Sequence, residues 1–541
     1  MYFKLNISDD LLTDIKAIDP HITILDLSQI NFSDKTGLEI TQIFKAIPPK
    51  VHYLKLGWNQ LGDKAAEDLV AAFVAIPAHI TTLDLRWNRL NKLGANLKKA
   101  FAAIPMNVIA LNLSVNDLGN LNGQDLLDAL ATIPANINSL NLSANNLSNR
   151  TTKELMQLLA SLPATITKLD LGENEFYIKT GIELAKIFSA LPFKLTCLNL
   201  SGNDLANLTA GGFSKIFFNI SAKISILNLS SNNLGNINSE ELAQLFAAIP
   251  TSVVELNLSN NDFSNMSGEE LASTLAAVSK HVITLNLSGN NLSSMTSKDL
   301  AEALASIPPN VTSLDLSYNH FAEMSGKNLK QVLAAIPLSV THLNLSWNDF
   351  NLEWLQDGVS NDLLQIFSEM PTNINSLDLS GSKLNTENIL DLSRFFIAIP
   401  ANIKNLNLQR TGLNLISAEN FQKLKGSLTY IKTLTLSYNE IHAMSPCQRQ
   451  SLKAIIPNIR QIILSENDQD ILEPFSNLLY QRYLWELGDR NNPPSLLNWC
   501  TFYTVKKMLN TESTPNKIVL PDEIKELTGQ VPIDYLENAI L

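Results

Sequence analysis

Cysteine is scarce in this chain: Cys197, Cys447 and Cys500 are the only three among 541 residues. They are odd in number, far apart and in no C-x-x-C spacing, so no disulfide framework and no zinc site can be read from them. Basic charge is also short, with 40 lysines and arginines against 52 aspartates and glutamates, a net charge of −12. That balance argues against general nucleic-acid binding, which needs cations to displace phosphate counterions. It is compatible with a basic protein partner, and equally with plain solubility. No apolar run reaches the roughly 18 residues that a membrane span requires. The start, Met1 to Asp10, lacks the basic flank and apolar stretch of a Sec-type signal peptide. Histidine is sparse, seven in all, and only His442 lies beyond His342. There is no P-loop, no G-x-S-x-G and no H-E-x-x-H. Catalytic residues, metal ligands and cofactors are therefore all expected to be none.

What the chain does contain is one phrase, an apolar residue and two free positions followed by L-x-L-x-x-N-x-L. Clean copies run from Ile137 to Leu147 and from Val282 to Leu292. The first leucine of the phrase falls at Leu25, Leu54, Leu83, Leu111, Leu140, Leu169, Leu198, Leu227, Leu256, Leu285, Leu314, Leu343, Leu377, Leu406, Leu434 and, as isoleucine, Ile462. These sixteen copies are 29 residues apart, with 28 in three places and 34 once. A period held this long marks a solenoid, and the phrase marks a leucine-rich repeat.

Within L-x-L the leucines alternate with free residues, the pattern of a strand with one buried face. The fixed asparagine (Asn59, Asn88, Asn116, Asn145, Asn174 and onward) falls where the strand must turn, and its amide offers donors and acceptors to the turning backbone. A helix follows: Leu300, Leu304 and Ile307 share one face. Asn238-x-x-Glu241 and Ser267-x-x-Glu270 have the form of capping boxes. Ile-Pro or Leu-Pro closes most helices, since proline cannot continue one. Parallel strands stack at about 4.8 Å while packed helices need roughly 8–10 Å, so the helices must take the longer arc. The expected fold is α/β: a right-handed leucine-rich repeat solenoid (horseshoe), parallel strands concave and helices convex, with about sixteen repeats of 28–29 residues and a helical C-terminal cap. Residues 1–20 read as an N-terminal cap segment, 21–469 as the solenoid and 470–541 as a helical cap or tail.

These repeats resemble the ribonuclease-inhibitor-like leucine-rich repeat family, which pairs strand and helix at this length. The particular wording, L-N-L-S-x-N-x-L with an A-x-I-P return, resembles the leucine-rich repeat effectors of Legionella. That resemblance implies export through a type IV system into a host cell, with a targeting signal near the C-terminus. The repeated Asn-Leu-Ser triplets, such as Asn141-Leu142-Ser143, would be glycosylation acceptors on stacking strands, which also favours a reducing cytosol.

The motif can be written L-x2-x3-L-x5-L-x7-x8-N-x10-L, with x3, x5, x7 and x8 expected to face a partner. Column x5 is nearly all Asn or Asp and column x7 mostly Ser, both read as bland repeat drift. Column x8 differs: large residues gather toward its two ends (Trp58, Trp87; Tyr318, Trp347, Arg410, Tyr438) and small ones fill the middle. Near the first end lie Tyr53, Arg86 and Arg89, and near the second His320, His342 and Asp349. Trp, Tyr and Arg dominate measured interface energetics, so these twelve residues are the expected partner-binding set. Trp58 and Trp87 could alternatively serve only to cover the first repeats.

The 34-residue interval adds five residues around Glu353–Gly358, and Ser382 and Thr411 replace the fixed Asn in the next two repeats. The sequence points to a monomeric, non-catalytic protein-binding scaffold, with no nucleic acid and no membrane span. The resemblance to the Legionella effectors implies that its partner is a host protein, and that it is made in the bacterial cytoplasm and secreted into the host cytosol. An adaptor recruiting a second partner through the C-terminal helices is the alternative. A cysteine-dependent ubiquitin ligase is disfavoured because no His, Lys or Asp neighbours Cys447 or Cys500 in sequence.

Overall fold

A three-residue strand cannot hold itself, so each L-x-L segment depends on the next copy alongside. The computed structural model describes residues 2–6, 10–208, 213–217, 220, 223–350, 366–384, 389–465, 480, 483, 484 and 486–489. It divides into two compact units, Met1–Asn348 with Glu369–Ile374, and Asp349–Ser368 with Asn375–Leu541. In the first, strand Ser139–Asn141 lies parallel between Ala110–Asn112 and Lys168–Asp170, with Leu140 level with Leu111 and Leu169. The same leucine-beside-leucine register runs on to His342–Asn344. At the other end it reaches Ile24–Asp26, beyond which Tyr2–Lys4 adds a further parallel strand. In the second unit Ser376–Asp378, Asn405–Asn407, Thr433–Ser437 and Gln461–Ser465 pair in the same way. This is the expected α/β leucine-rich repeat solenoid, with parallel strands alternating with helices.

The leucines of both motif positions are buried throughout, as are the phenylalanines Phe44, Phe73, Phe101, Phe188 and Phe246 of the helices. A 3-10 turn, such as Leu118–Asn120 or Leu292–Ser294, precedes the helix in most repeats; the apolar periodicity gave no sign of it. Leu300 and Leu304 are buried on the helix Ser297–Ala305, whereas Ile307 lies just beyond its end, also buried. Ser267 and Glu270 form the expected capping box, and Thr36/Glu39, Thr151/Glu154 and Thr180/Glu183 form others. Asn238 departs from that pattern. Its side chain accepts from the Glu240 N–H at 3.0 Å, one residue before Glu241, a partner that is equally open to an N-cap side chain. After most of the described helices a proline carbonyl accepts a turn bond, as from Val51 to Pro48 at 3.1 Å and from Ile80 to Pro77 at 3.0 Å, which returns the chain to the sheet.

The asparagines carry the turn. Asn59, Asn88, Asn116, Asn145, Asn174, Asn203, Asn232, Asn261, Asn290, Asn319 and Asn348 are all 0% exposed. Asn145 is representative: its Oδ1 accepts the N–H of Asn116 at 3.0 Å and of Leu118 at 3.2 Å in the preceding repeat. Its Nδ2 donates to the carbonyls of Leu113 at 2.9 Å and Ser143 at 3.1 Å. Each rung thus satisfies backbone groups of its neighbour that no strand bond reaches. In the second unit Thr411 only partly replaces it, donating through Oγ1 to Leu408 O at 2.7 Å, while its own carbonyl takes the Leu384 N–H at 2.9 Å. Ser382 is fully buried and its hydroxyl is unpaired.

Residues 483, 484 and 486–489 close the second unit's last strands. Tyr483, Leu484 and Leu487 are buried, and the Asp489 carboxylate accepts the Ile462 N–H at 2.8 Å. Arg449 pairs with Glu486 at 2.5 Å, and its guanidinium lies 4.7 Å from the Tyr483 ring centre. The inserted Glu353–Gly358 segment, Cys500 and the remaining helices expected of the tail lie outside the described residues.

Candidate functional site

On either side of the buried asparagine the backbone turns left-handed. The x8 residues Trp58, Trp87, Val115, Ala144, Glu173, Tyr318 and Trp347 have φ between 50° and 60°. The x10 residues do the same, from Gln60 and Arg89 to His320 and Asp349. A side chain in this region costs roughly 1–2 kcal/mol for an L-residue, and the asparagine bonds just described hold it there. With the Asn side chain turned inward, the x8 side chain on the residue before it is turned outward. Adjacent repeats lie at the strand spacing, so neighbouring x8 side chains come face to face.

Two aromatic stacks result. The Trp58 and Trp87 rings are 4.0 Å apart and 11° from parallel. Those of Tyr318 and Trp347 are 5.7 Å apart and 7° from parallel. Neither pair is swallowed by the core: Trp58 is 47%, Trp87 43% and Tyr318 52% exposed, and Trp347 is half-buried. Such pairs gain about 0.5–1.5 kcal/mol, so the rings are already fixed before anything binds.

Around the first stack the cations are held in place. Arg86 Nε lies 2.9 Å from the Asp84 carboxylate, whose side chain is 1% exposed, while the Arg86 side chain is half-buried. Burial pushes the Asp84 carboxyl up, against the downward pull of the Arg86 N–H and charge. Arg89 donates to Gln60 Oε1 at 3.3 Å and pairs with Asp63 at 3.6 Å, and Lys92 pairs with the same carboxylate. Tyr53 is half-buried, its phenol pushed up to about 12 chiefly by burial. The Lys55 ammonium sits 5.5 Å from the Tyr53 ring and 4.8 Å from that of Tyr2.

At the second stack His320 occupies the left-handed x10 position, and His342 is exposed on its strand with Nδ1 2.9 Å from Thr341 Oγ1. An open cleft of about 530 Å³ adjoins Tyr318, lined by Asn260, Ser288, Gly289, Asn291, Tyr318 and His320. Tyr53, Trp58, Arg86, Trp87 and Arg89 thus form one group, and Tyr318, His320, His342 and Trp347 another. Asp349 and Arg410 belong to the second unit, both exposed in left-handed turns. Tyr438 leaves the column. The strand there runs on to Ser437 and passes directly into the helix Tyr438–Ala443, so no left-handed turn projects the ring. It packs instead against His442 and Tyr483, both centroids 5.9 Å away.

Some positions were missed in the sequence. The x5 residues form a second ladder: Asn141 Oδ1 accepts the Ser143 N–H at 2.8 Å, and Asp84, Asp170, Asn257 and Asp315 accept likewise from the residue two on. The uniformity of the column was the available signal, since this Asx bond needs a short side chain with an acceptor oxygen. Val254 and Ile283 are exposed apolar residues at x2 of adjacent repeats, a position the column reading did not weigh. Of the cysteines, Cys197 is half-buried with its thiol pushed up by burial, and Cys447 is exposed. Among the described residues no group of three His, Cys, Asp or Glu is arranged to hold a metal, and no helix is long and apolar enough to cross a membrane.

A family model described as leucine-rich repeat matches residues 48–70, 77–96 and 192–208. No curated protein matches. Among solved structures, the leucine-rich repeat-containing protein LegL7 from Legionella pneumophila is 30% identical over 72% of this chain and 93% of its own, at a TM-score of 0.42. A structure of the Rad7 and Elc1 complex in yeast is 17% identical, covering 65% of this chain and 80% of that one, at a TM-score of 0.37. Neither superposition is close, and the assignment rests on sequence identity and on the repeat itself. With its register of stacked leucines, its buried asparagines and its likeness to LegL7 over most of that protein, the chain belongs to the leucine-rich repeat family.

Proposed function

We propose that this protein is a binding scaffold that captures a partner protein on its strand face and left-handed column, anchored at the Trp58/Trp87 and Tyr318/Trp347 stacks. The observation that carries this reading is the exposure of rigid, pre-stacked aromatic rings on a surface where the rest of the repeat is small and polar. Interface energy concentrates in such residues, and a fixed ring loses little freedom on binding. The likeness to a Legionella protein supports a bacterial effector delivered into a host cell, with a host protein as the target. The bonds of Arg449 to Glu486, of Ile462 to Asp489 and of His442 to Tyr483 support a cap for that part of the tail, and favour it over an adaptor arm.

The test is capture from host lysate by the wild type and by a Trp87→Ala/Trp347→Ala variant, followed by affinity measurement with the protein recovered. The variant should weaken the complex by about 3 kcal/mol or more, at least a hundredfold in Kd, with unchanged far-UV circular dichroism. Equal capture by both chains would remove the reading. Delivery is tested separately, by translocation of a reporter fused to the chain from bacteria with and without a working type IV system.

A further inference from the structure

The x8 column is a stack of side chains with gaps, and the gap beside Tyr318 is built differently from the rest. Trp347 covers one face of the Tyr318 ring. On the other side the next rung is Gly289, with no side chain, and beyond it Asn260 leans over, its Oδ1 lying where a Gly289 Cβ would be. The space left open is the cleft lined by Asn260, Ser288, Gly289, Asn291, Tyr318 and His320.

A flat group entering there would take the missing place in the column, stacked on Tyr318, with carboxamide and hydroxyl oxygens at its edge. The surrounding charge selects among flat groups. From Thr196 to Trp347, positions x2, x3, x5, x7, x8 and x10 hold Asp204, Glu255, Asp262 and Asp315 but no lysine or arginine. A planar cation with several N–H donors suits all three conditions, and among the side chains that carry positive charge at neutral pH only guanidinium is planar.

We propose that the Gly289 gap is an arginine site, which takes the guanidinium of a basic segment of the partner protein. The proposal rests on the reading of the chain as a protein-binding scaffold and adds what the partner must present. The guanidinium stacks on the open face of Tyr318 while its N–H groups donate to Asn260 Oδ1 and to the oxygens of Ser288 and Asn291. Lysine, a compact point charge, meets the acidic surroundings but not the stack.

The experiment uses the full chain and three fluorescent peptides in which glycine alternates with arginine, lysine or citrulline, together with a neutral chito-oligosaccharide. The arginine peptide should bind about three- to tenfold more tightly than the lysine peptide. Gly289→Trp fills the gap, and tryptophan already adopts this turn at Trp58 and Trp87 with φ of 60° and 56°. Tyr318→Ala removes the platform without changing the backbone turn. Both variants should lose the arginine preference while keeping the wild-type far-UV circular dichroism, with Gly289→Trp melting somewhat lower because its side chain sits at positive φ. Equal affinity for arginine and lysine peptides in the wild type would overturn the proposal. So would a preference that survives in both variants, or tighter binding of citrulline or of the oligosaccharide. Trp87→Ala leaves this gap untouched, so loss of capture in that single variant with the arginine preference intact separates failure of one idea from failure of the other.

Discussion

A single asparagine does the work of a turn in this chain, and its removal has a local address. Asn145→Ala would strand the Asn116 and Leu118 amides in a dry interior, where each unpaired group costs about 1–3 kcal/mol. Hydrogen exchange should report it as roughly 10- to 100-fold faster exchange at those two amides. Exchange should stay unchanged around Asn290, and uniform acceleration along the chain would contradict a rung-by-rung account. The fixed asparagine was legible because its donors and acceptors match what a strand exit lacks. The left-handed column was not. Trp58, Val115, Glu173 and Tyr318 have no intrinsic leaning toward positive φ, and only glycines such as Gly202 and Gly289 hinted at it. Nor was the x5 ladder, because in one sequence a uniform column looks like an unselected remnant of duplication.

At the scale of the helix, the ends carry the titration. Glu39, Glu154, Glu183 and Glu270 each accept a backbone N–H in a capping box, and this bond holds every one of them below the ordinary 4.5. Carboxyls depressed in the folded state contribute stability that is complete above their unfolded value and is lost as pH falls through the folded one. Asp84 and Asp170 act in the opposite sense. Burial raises both, so between the ordinary 3.8 and their raised values the folded chain binds more protons and stability falls as pH rises. Melting temperatures measured from pH 6 down to 3 should therefore drop below about pH 4.5 in the wild type. The drop should be shallower after Glu→Gln at all four caps, since glutamine keeps the bond without the charge. Superimposable profiles would assign the acid sensitivity elsewhere. Most helix starts and stops could be read from the sequence, through Ser/Thr-x-x-Glu and Ile-Pro. The intervening 3-10 turn could not, because its three residues carry no apolar period of their own.

For the molecule as a whole, the two units differ in how completely the asparagine rungs are kept. The Met1–Asn348 unit keeps them in succession from Asn59 to Asn348, whereas Ser382 and Thr411 stand in their place in the other. In a solenoid each repeat is stabilised by its neighbours, so the missing rungs should lower the cooperative stability of the second unit first. Hydrogen exchange followed through a urea series should show the strands around Leu377 and Leu406 opening at lower urea than those around Leu227 and Leu256. A single transition encompassing both sets would argue against this. The repeat architecture was readable because a fixed period needs no structure to be counted. Which columns would hold rings against one another depended on a register that only paired strands reveal.

That register has a consequence for how such a surface evolves. Each x8 side chain is placed by its own turn and by the strand beside it, so gaining or losing one complete repeat between Asn116 and Asn290 would leave both aromatic stacks intact. Their separation would change only by whole increments of about 4.8 Å. The surface is thus a gauge with fixed graduations, and duplication or deletion could fit it to a longer or shorter target without redesigning either jaw.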